Sequence, residues 1–269
     1  MMQVATSSSR RWILAKAIRQ IVNGPSLSTL TIRPDPHYVD FRKAPDDFDP
    51  SAAVVYDSII TQSESDALLQ DLQPQLKRRR YERGHWDAVI VKYKETELTL
   101  SNLSPTSKEM LQRLQSHVYQ HHLQPLLAKN DSNNNDTMMN DVARHFLPFH
   151  VIDLAKEGEL NAHVDSVRFS GHLVCGLSLL SPSIMRLKPA DPEHQQEVSS
   201  DDEQNELEGH VDLYLPPLSL YVLSGVGRYK YTHELLPTGS TFTINTKEEQ
   251  SIEVHRERRI SIIFRDVKT

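Results

Sequence analysis

The sequence predicts a mainly β, α+β fold in which N-terminal helices precede an all-β sandwich, barrel or jelly roll. From about residue 145 to the C-terminus, short β-type runs are separated by Gly, Pro and polar residues. Such punctuation is typical of all-β architectures that contain many short strands. Upstream, two segments have the helical spacing of apolar residues, and a strand-like run precedes each of them.

The first 34 residues differ in composition from the rest of the chain. They contain five basic residues, no acidic residue and a serine cluster, and their apolar positions follow helical spacing. These features are typical of a mitochondrial presequence, with a disordered basic tail as the alternative. Without this segment the formal charge falls from −6 to −11, which argues against a general nucleic-acid-binding protein.

The segments that follow are predicted in chain order. Residues 35–51 are rich in Pro and Asp and are expected to form an extended lead-in. The run AAVVYDSII (52–60) predicts a strand, and the next segment predicts a helix that Pro74 should kink or break. A second strand is expected in AVIVKYKETEL (88–98), and a second helix in residues 104–127.

Two segments have compositions that predict loops rather than regular structure. Residues 130–141 are polar and rich in turn formers, and residues 190–209 contain eight acidic residues and no Lys or Arg. The single Cys175 excludes an intramolecular disulfide and a zinc site built from cysteines. No apolar run approaches the roughly 20 residues that a membrane-spanning helix needs, so no membrane span is expected.

Three His-x-Asp motifs offer paired metal ligands, at residues 85–87, 163–165 and 210–212. Residues two apart on a strand point to the same face, so each pair could bind one metal ion. The His-x-Asp motif alone is weak evidence for a metal site. The spacing from each motif to a third ligand therefore has to distinguish among the three candidates. His163 and His233 are 70 positions apart, which leaves room for the several strands that separate iron ligands in a jelly-roll oxygenase. The interval between His210 and His233 leaves room for little more than a hairpin.

The C-terminal run RISIIFR (259–265) carries two arginines on one face of a predicted strand. By alternation Arg259, Ser261 and Arg265 share a face, and the opposite face is apolar. Burying two guanidinium groups is costly unless anions pair with them. Arg also suits bidentate binding of a carboxylate such as the distal one of 2-oxoglutarate. The alternative is an edge strand with both arginines in water.

The stretches HVDSVRFSGHLVCGLSLLSPSIMRL, LSLYVLSGVGRYKYTHEL and RRISIIFR together resemble the AlkB family of Fe(II)/2-oxoglutarate-dependent dioxygenases. The resemblance covers residues 52–269. It implies a single domain with a double-stranded β-helix (jelly-roll) core, supporting N-terminal helices, and insertions at residues 130–141 and 190–209. It also implies that His163, Asp165 and His233 bind Fe(II), with 2-oxoglutarate and O₂ as co-substrates.

The resemblance implies roles for four further residues. Arg259 would pair with the distal carboxylate of 2-oxoglutarate, and Arg265 would support the co-substrate and the metal site. Tyr221 would hydrogen-bond the co-substrate, and Ser261 would line the same pocket.

The chain departs from the nucleic-acid-repairing members of the family. In those enzymes an Asn-x-Tyr pair contacts 2-oxoglutarate, whereas Ile152 and Leu154 stand at the matching positions here. Tyr221 is therefore expected to take over that contact. The aromatic and basic lid that grips a flipped base is also not recognisable in the sequence.

The resemblance implies an enzyme that converts 2-oxoglutarate to succinate and CO₂ while it hydroxylates a substrate C–H bond. We expect a mitochondrial matrix enzyme that acts on an unknown protein or metabolite, with implied links to fatty-acid metabolism and alkylation-induced programmed necrosis. One alternative is oxidative demethylation of methylated mitochondrial RNA, which the basic stretch KRRRYERGHW (77–86) keeps open. The other is a non-catalytic metal-binding interaction module, which the intact Arg259 and Arg265 argue against.

Overall fold

Short apolar runs form the strands of the structure, a computed structural model that describes residues 32–84, 89–130, 139–190, 209–244 and 250–268. The expectations for the presequence, for most of the two loop insertions and for the first His-x-Asp motif fall outside these ranges. Within them, no helix combines the length and apolar character that crossing a membrane requires.

The described residues form twelve strands. In chain order they are β1 (Val39–Asp40), β2 (Ala53–Tyr56), β3 (Ile90–Leu98), β4 (Phe149–Leu160), β5 (Val174–Leu179), β6 (Ser183–Pro189), β7 (Val211–Leu215), β8 (Leu220–Leu223), β9 (Tyr231–Leu235), β10 (Ser240–Ile244), β11 (Gln250–Val254) and β12 (Arg259–Arg265).

The strands form two antiparallel sheets and a separate hairpin. The larger sheet has six strands in the order β2-β8-β5-β12-β4-β3, and the smaller has four in the order β1-β7-β6-β9. Strands β10 and β11 pair with each other. Apart from the pairs β3-β4 and β6-β7, neighbouring strands in the two sheets are not consecutive in the chain, as the strand crossings of a jelly roll require. The predicted mainly β fold with a double-stranded β-helix core is confirmed.

Strand β12 lies inside the larger sheet, between β5 and β4. The alternative of an edge strand with both arginines in water is therefore wrong. One face of β12 contributes Ile260, Ile262 and Phe264 to the hydrophobic core. The opposite face, which begins with Arg259, points into a cavity between the sheets. The predicted alternation holds along the whole strand.

The described helices are α1 (Gln62–Arg78), α2 (Pro105–Val118), α3 (Gln124–Asn130) and α4 (Gly225–Tyr229). Helix α1 begins with a capping box in which Thr61 and Glu64 bond each other's backbone N–H groups. It continues through Pro74 to Arg78, so the expected break does not occur. Burial of Leu72 and Leu76 on either side of the proline stabilises the last turn.

Helices α1 and α2 cover the outer face of the larger sheet. Their apolar stripes are fully buried and join the sheet residues in one core; they are Leu68, Leu72, Leu76, Met110, Leu111 and Leu114. This packing fixes which face of β12 is apolar. The polar face must then point towards the smaller sheet.

The lead-in contains more structure than the composition suggests. Strand β1 pairs with β7, with Val39 opposite Leu213, and two 3₁₀ turns flank it at Pro36–Tyr38 and Pro50–Ala52. Each turn opens on an Asp whose side chain accepts a backbone N–H, followed by Pro at the first position. The Pro and Asp richness of this segment thus reflects capped turns.

A histidine cluster lies where α2 continues into a π-helical turn, Tyr119–Leu123. His117 contacts the ring of Tyr56 edge-on, and His122 Nε2 is hydrogen-bonded to Tyr56 Oη at 2.7 Å. Burial, reinforced by neighbouring imidazoles, lowers the pKa of both histidines to about 4. Both rings are therefore neutral at pH 7.

We expect the free energy of unfolding to fall as the pH is lowered from 6.5 towards 4. The unfolded chain binds protons at these histidines in this interval, whereas the folded chain excludes them. His117→Phe keeps an aromatic ring beside Tyr56 but removes one group that can take up a proton only when the chain unfolds. Urea unfolding at several pH values should therefore give a shallower pH dependence for this variant, and equal slopes would contradict the assignment.

Candidate metal centre

A cavity of about 300 Å³ lies between the two sheets. Its lining includes all seven residues that the sequence predicts for the site, namely His163, Asp165, His233, Tyr221, Arg259, Ser261 and Arg265. Ile152 and Leu154, which stand where repair enzymes have the Asn-x-Tyr pair, line the same cavity. The sheet topology thus brings together residues that lie as far apart as 152 and 265.

Three of these residues form a compact group of metal-binding atoms. One ligand atom from each of His163, Asp165 and His233 lies within 4.8 Å of the other two. The two histidines form an antiparallel bridge, in which His233 N–H donates to His163 O at 2.8 Å and His163 N–H donates to His233 O at 3.3 Å. His163 Nδ1 lies 2.8 Å from Asn161 O, a contact that it makes as a donor and that leaves Nε2 for a metal. Two imidazoles and one carboxylate fit Fe(II).

The protonation states of two of the three residues suit metal binding. Burial alone would raise the pKa of Asp165, but the charge and hydrogen bonds of Arg265 more than offset it and hold that pKa well below its usual range. Arg265 donates to both carboxylate oxygens at 3.0 Å, so the carboxylate is also held in orientation. Burial, together with His163, lowers the pKa of His233 to about 3, which keeps its imidazole neutral.

Arg228 is a site residue that the sequence analysis did not find. It lies on α4, five residues before His233, and its side chain is buried. It donates to Asp165 O at 2.7 Å, and also bonds Ser166 O and Ser170 Oγ in the turn that follows. One cation therefore joins the segment that carries Asp165 to the segment that carries His233. A basic residue within the run VGRYKYTH was the available sequence signal.

Arg259 is buried without an anion among the described residues. Its exposed fraction is 4%, one guanidinium nitrogen donates to Ser178 Oγ at 2.8 Å, and Nε has no hydrogen-bond partner in the described chain. Burial lowers the pKa of Arg259 to about 10, which reflects the cost of the uncompensated charge. A bound dicarboxylate would supply the missing anion, so this residue fits 2-oxoglutarate.

Tyr221 lies beside Arg259 because strand β5 has a glycine opposite it. Tyr221 pairs with Gly176 across the strands, and a Cβ atom at Gly176 would lie 2.7 Å from Tyr221 Oη. Any larger residue would displace the tyrosine ring. Burial raises the pKa of Tyr221, so its hydroxyl keeps its proton and can donate a hydrogen bond.

The third His-x-Asp motif has a structural role instead. Asp212 accepts two hydrogen bonds from Arg186, at 2.8 and 2.7 Å, across strands β6 and β7. His210 lies 3.8 Å from the same carboxylate, and neither residue lines the cavity. The motif that the ligand spacing favours, His163 and Asp165, is therefore the one that lies in the cavity.

Replacing Arg228 by Met should weaken divalent metal binding about 10- to 100-fold, the usual effect of losing a group that orients a ligand. The Met side chain cannot bond Asp165 O, so the segment between Asp165 and Ser170 loses its attachment to α4. Titration with Co(II), followed by its d–d absorption, measures the affinity. Arg228→Lys should recover part of it.

Arg256→Met is the matched control for this substitution. Arg256 is similarly buried, and it also donates to backbone carbonyl groups, those of Ala155 and Gly158, but it does not line the cavity. Its loss should lower the melting temperature and leave Co(II) affinity unchanged. Equal losses of affinity in both variants would show that Arg228 acts through general stability alone.

Comparisons with known proteins give close relatives by sequence, although no family model matches the chain. The mouse protein named "Alpha-ketoglutarate-dependent dioxygenase alkB homolog 7, mitochondrial" is 38% identical over 215 residues, which cover 80% of this chain and 78% of the relative. The cattle protein of the same name is 35% identical over 216 residues, covering 80% and 79%.

Solved structures are more distant. OsALKBH1 has a TM-score of 0.46 and 13% identity, covering 80% of this chain and 96% of that one. A Pseudomonas putida prolyl-4-hydroxylase has a TM-score of 0.46 and 10% identity, covering 81% and 93%.

Both sequence relatives are named mitochondrial, which supports a mitochondrial location for this protein. Their names also state the dependence on 2-oxoglutarate, and the triad of His163, Asp165 and His233 provides a donor set for the iron. With these identities over 80% of its length, the chain belongs to the AlkB family of Fe(II)- and 2-oxoglutarate-dependent dioxygenases, in the group of AlkB homologue 7.

Proposed function

We propose that this dioxygenase works in the mitochondrial matrix and hydroxylates a C–H bond of a protein or metabolite, with Fe(II) bound by His163, Asp165 and His233. One observation carries the proposal: the triad shares its cavity with Arg259, a buried cation that lacks an anion among the described residues. The family resemblance further implies links to fatty-acid metabolism and to programmed necrosis after alkylation damage, which belong to the same proposal.

The co-substrate would lie along the polar face of β12. Arg259 would bind the distal carboxylate of 2-oxoglutarate, and Tyr221 would donate a hydrogen bond to the co-substrate. Ser261 lies between the two arginines of this face and would line the same pocket. Because Arg265 commits two of its nitrogens to Asp165, its support of the co-substrate would act mainly through the metal ligand.

When bound, Fe(II) with 2-oxoglutarate and O₂ supplies the oxidising chemistry that yields succinate, CO₂ and a hydroxylated substrate. The chain's share is binding, orientation and exclusion of water. Asp165 is ionised and His233 is neutral before the metal arrives, so neither has to lose a proton to bind it. The apolar side chains of Ile152, Leu154 and Leu160 limit water beside the site.

Demethylation of methylated mitochondrial RNA is the second candidate. The exposed basic run from Lys77 to Arg80 favours it, because exposed Lys and Arg neutralise phosphates. Part of this region has a structural role, however: Arg79 donates to Thr96, and Lys94 lies over the Tyr81 ring. An RNA affinity that falls steeply with salt and depends on Lys77 and Arg80 would support this candidate over the first.

The metal assignment predicts which histidine is required for co-substrate turnover. With Fe(II), ascorbate and 2-oxoglutarate but no added substrate, the wild type should form succinate slowly. His163→Ala should abolish this activity because it removes a metal ligand, whereas His210→Ala should retain it because His210 lies outside the cavity. Succinate and bound iron are quantified in the same samples.

Two outcomes would contradict the assignment. Loss of turnover in His210→Ala with retention in His163→Ala would move the metal to the third His-x-Asp motif. Absence of succinate from a wild type that binds one iron and 2-oxoglutarate would favour the non-catalytic module, provided that candidate substrates also fail to start turnover.

A further inference from the structure

We propose that Arg256 is a positioning residue for the co-substrate: its buried charge adds to that of Arg259 and strengthens the attraction for the distal carboxylate of 2-oxoglutarate. The inference deepens the proposed function and rests on it, because that function places the carboxylate at Arg259. It follows from the burial of Arg256, from the contacts of its guanidinium group and from its position relative to Arg259.

Arg256 is a buried cation that has no paired anion among the described residues. It lies in the connection between β11 and β12, and its exposed fraction is 5%. Its two terminal nitrogens donate to backbone carbonyl groups of β4, one to Ala155 O at 3.0 Å and the other to Gly158 O, and Nε has no partner in the described chain. Carbonyl groups carry no net charge, so they satisfy the donors and leave the positive charge uncompensated.

Two acidic residues near Arg256 offset its charge only in part. Burial lowers the pKa of Arg256, and Glu159 and Glu157, which lie on the same stretch of β4, oppose this change without reversing it. Both glutamates are exposed, and water screens exposed charges far more than buried ones. The positive charge of Arg256 therefore dominates inside the sheet at this end.

The sheet register places Arg256 near Arg259. Arg259 lies opposite Leu154 on β4, and Arg256 bonds the carbonyl group of the next residue, Ala155. Since neighbouring strands are about 4.8 Å apart, the two guanidinium groups are separated by on the order of 10 Å. Burial is the main cause of the lowered pKa of Arg259, and the charge of Arg256 lowers it further. Two buried cations thus act on the same end of the cavity.

A second cation at this distance changes the affinity for an anion because bulk water does not screen it. At an effective dielectric constant of about 20, two unit charges about 10 Å apart interact strongly enough to change a binding constant about tenfold. Arg259 lines the cavity, whereas Arg256 does not, so Arg256 acts through its electric field alone. Its charge should therefore favour ligands that carry a distal carboxylate and leave other ligands unaffected.

A purely structural role is the competing explanation. The two hydrogen bonds of Arg256 join the connection between β11 and β12 to the larger sheet. On that explanation the planar shape of the guanidinium group decides the effect of a substitution, and its charge does not. Gln and Lys variants separate the two explanations, because Gln removes the charge and Lys keeps it without the planar shape.

Calorimetric titration of Mn(II)-loaded protein with 2-oxoglutarate and with 2-oxopentanoate tests the proposal, because only the first ligand has a distal carboxylate. Arg256→Gln should bind 2-oxoglutarate about tenfold more weakly than the wild type and 2-oxopentanoate with unchanged affinity. Arg256→Lys should bind 2-oxoglutarate within about threefold of the wild type, although the loss of one hydrogen bond lowers its melting temperature.

Lys156→Gln is the matched control. Lys156 follows Ala155 on β4, and its side chain is 53% exposed and paired with Glu257. The substitution removes the same unit of charge from the same region, but at a position that water screens. It should therefore keep the wild-type affinity for 2-oxoglutarate.

Three results would overturn the proposal. The first is a folded Arg256→Gln that keeps the wild-type affinity for 2-oxoglutarate, and the second is an equal loss of affinity for both ligands. The third is a loss in Arg256→Lys of about tenfold or more, which would assign a structural role even if Arg256→Gln does not fold.

Arg259→Met separates these failures from failure of the proposed function. If Arg259→Met loses affinity for 2-oxoglutarate and Arg256→Gln does not, the inference about Arg256 is wrong and the placement of the carboxylate at Arg259 stands. Unchanged affinity in Arg259→Met would contradict that placement itself.

Discussion

Arg259 is a buried cation on a central strand of the larger β-sheet. The polar residues Ser261, Arg265 and Tyr221 line the same cavity. Strand β12 can carry Arg259 because the opposite face of the same strand, with Ile260 and Ile262, packs against helices α1 and α2. That packing fixes the orientation of the strand, since a one-residue slip would move the guanidinium into the core. The strand is therefore stabilised by apolar packing on one face and carries a costly buried charge on the other, where the proposed function places the dicarboxylate.

The metal-binding triad depends on a different kind of constraint. His163 and His233 come from segments that meet through a short backbone bridge, and Asp165 is held by Arg265 through its side chain and by Arg228 through its backbone. These contacts hold the three ligand atoms close to one another. The buried Arg228 and the partly buried Arg265 thus orient the anionic ligand Asp165 from two sides.

Much of the fold and of the site follows from sequence patterns that have a direct geometric meaning. Period-two alternation predicts the two faces of β12, and the 70-residue interval between His163 and His233 selects the motif that lines the cavity beside His233. What could not be predicted depends on tertiary contacts. Arg228 is an ordinary charged residue in the sequence, and only the fold brings its side chain to Asp165. Pro74 does not end α1 because the buried Leu72 and Leu76 outweigh the local cost of the proline.

The most direct test of the central claim measures thermal unfolding of Mn(II)-loaded wild type and Arg259→Met, each with and without 2-oxoglutarate. The wild type should be stabilised by the co-substrate, by about 2.7 kcal/mol at a hundred times its dissociation constant. Arg259→Met should unfold at the wild-type temperature or above without 2-oxoglutarate, because an uncompensated buried charge is gone, and should not respond to it. Equal stabilisation of both proteins by 2-oxoglutarate would contradict the account.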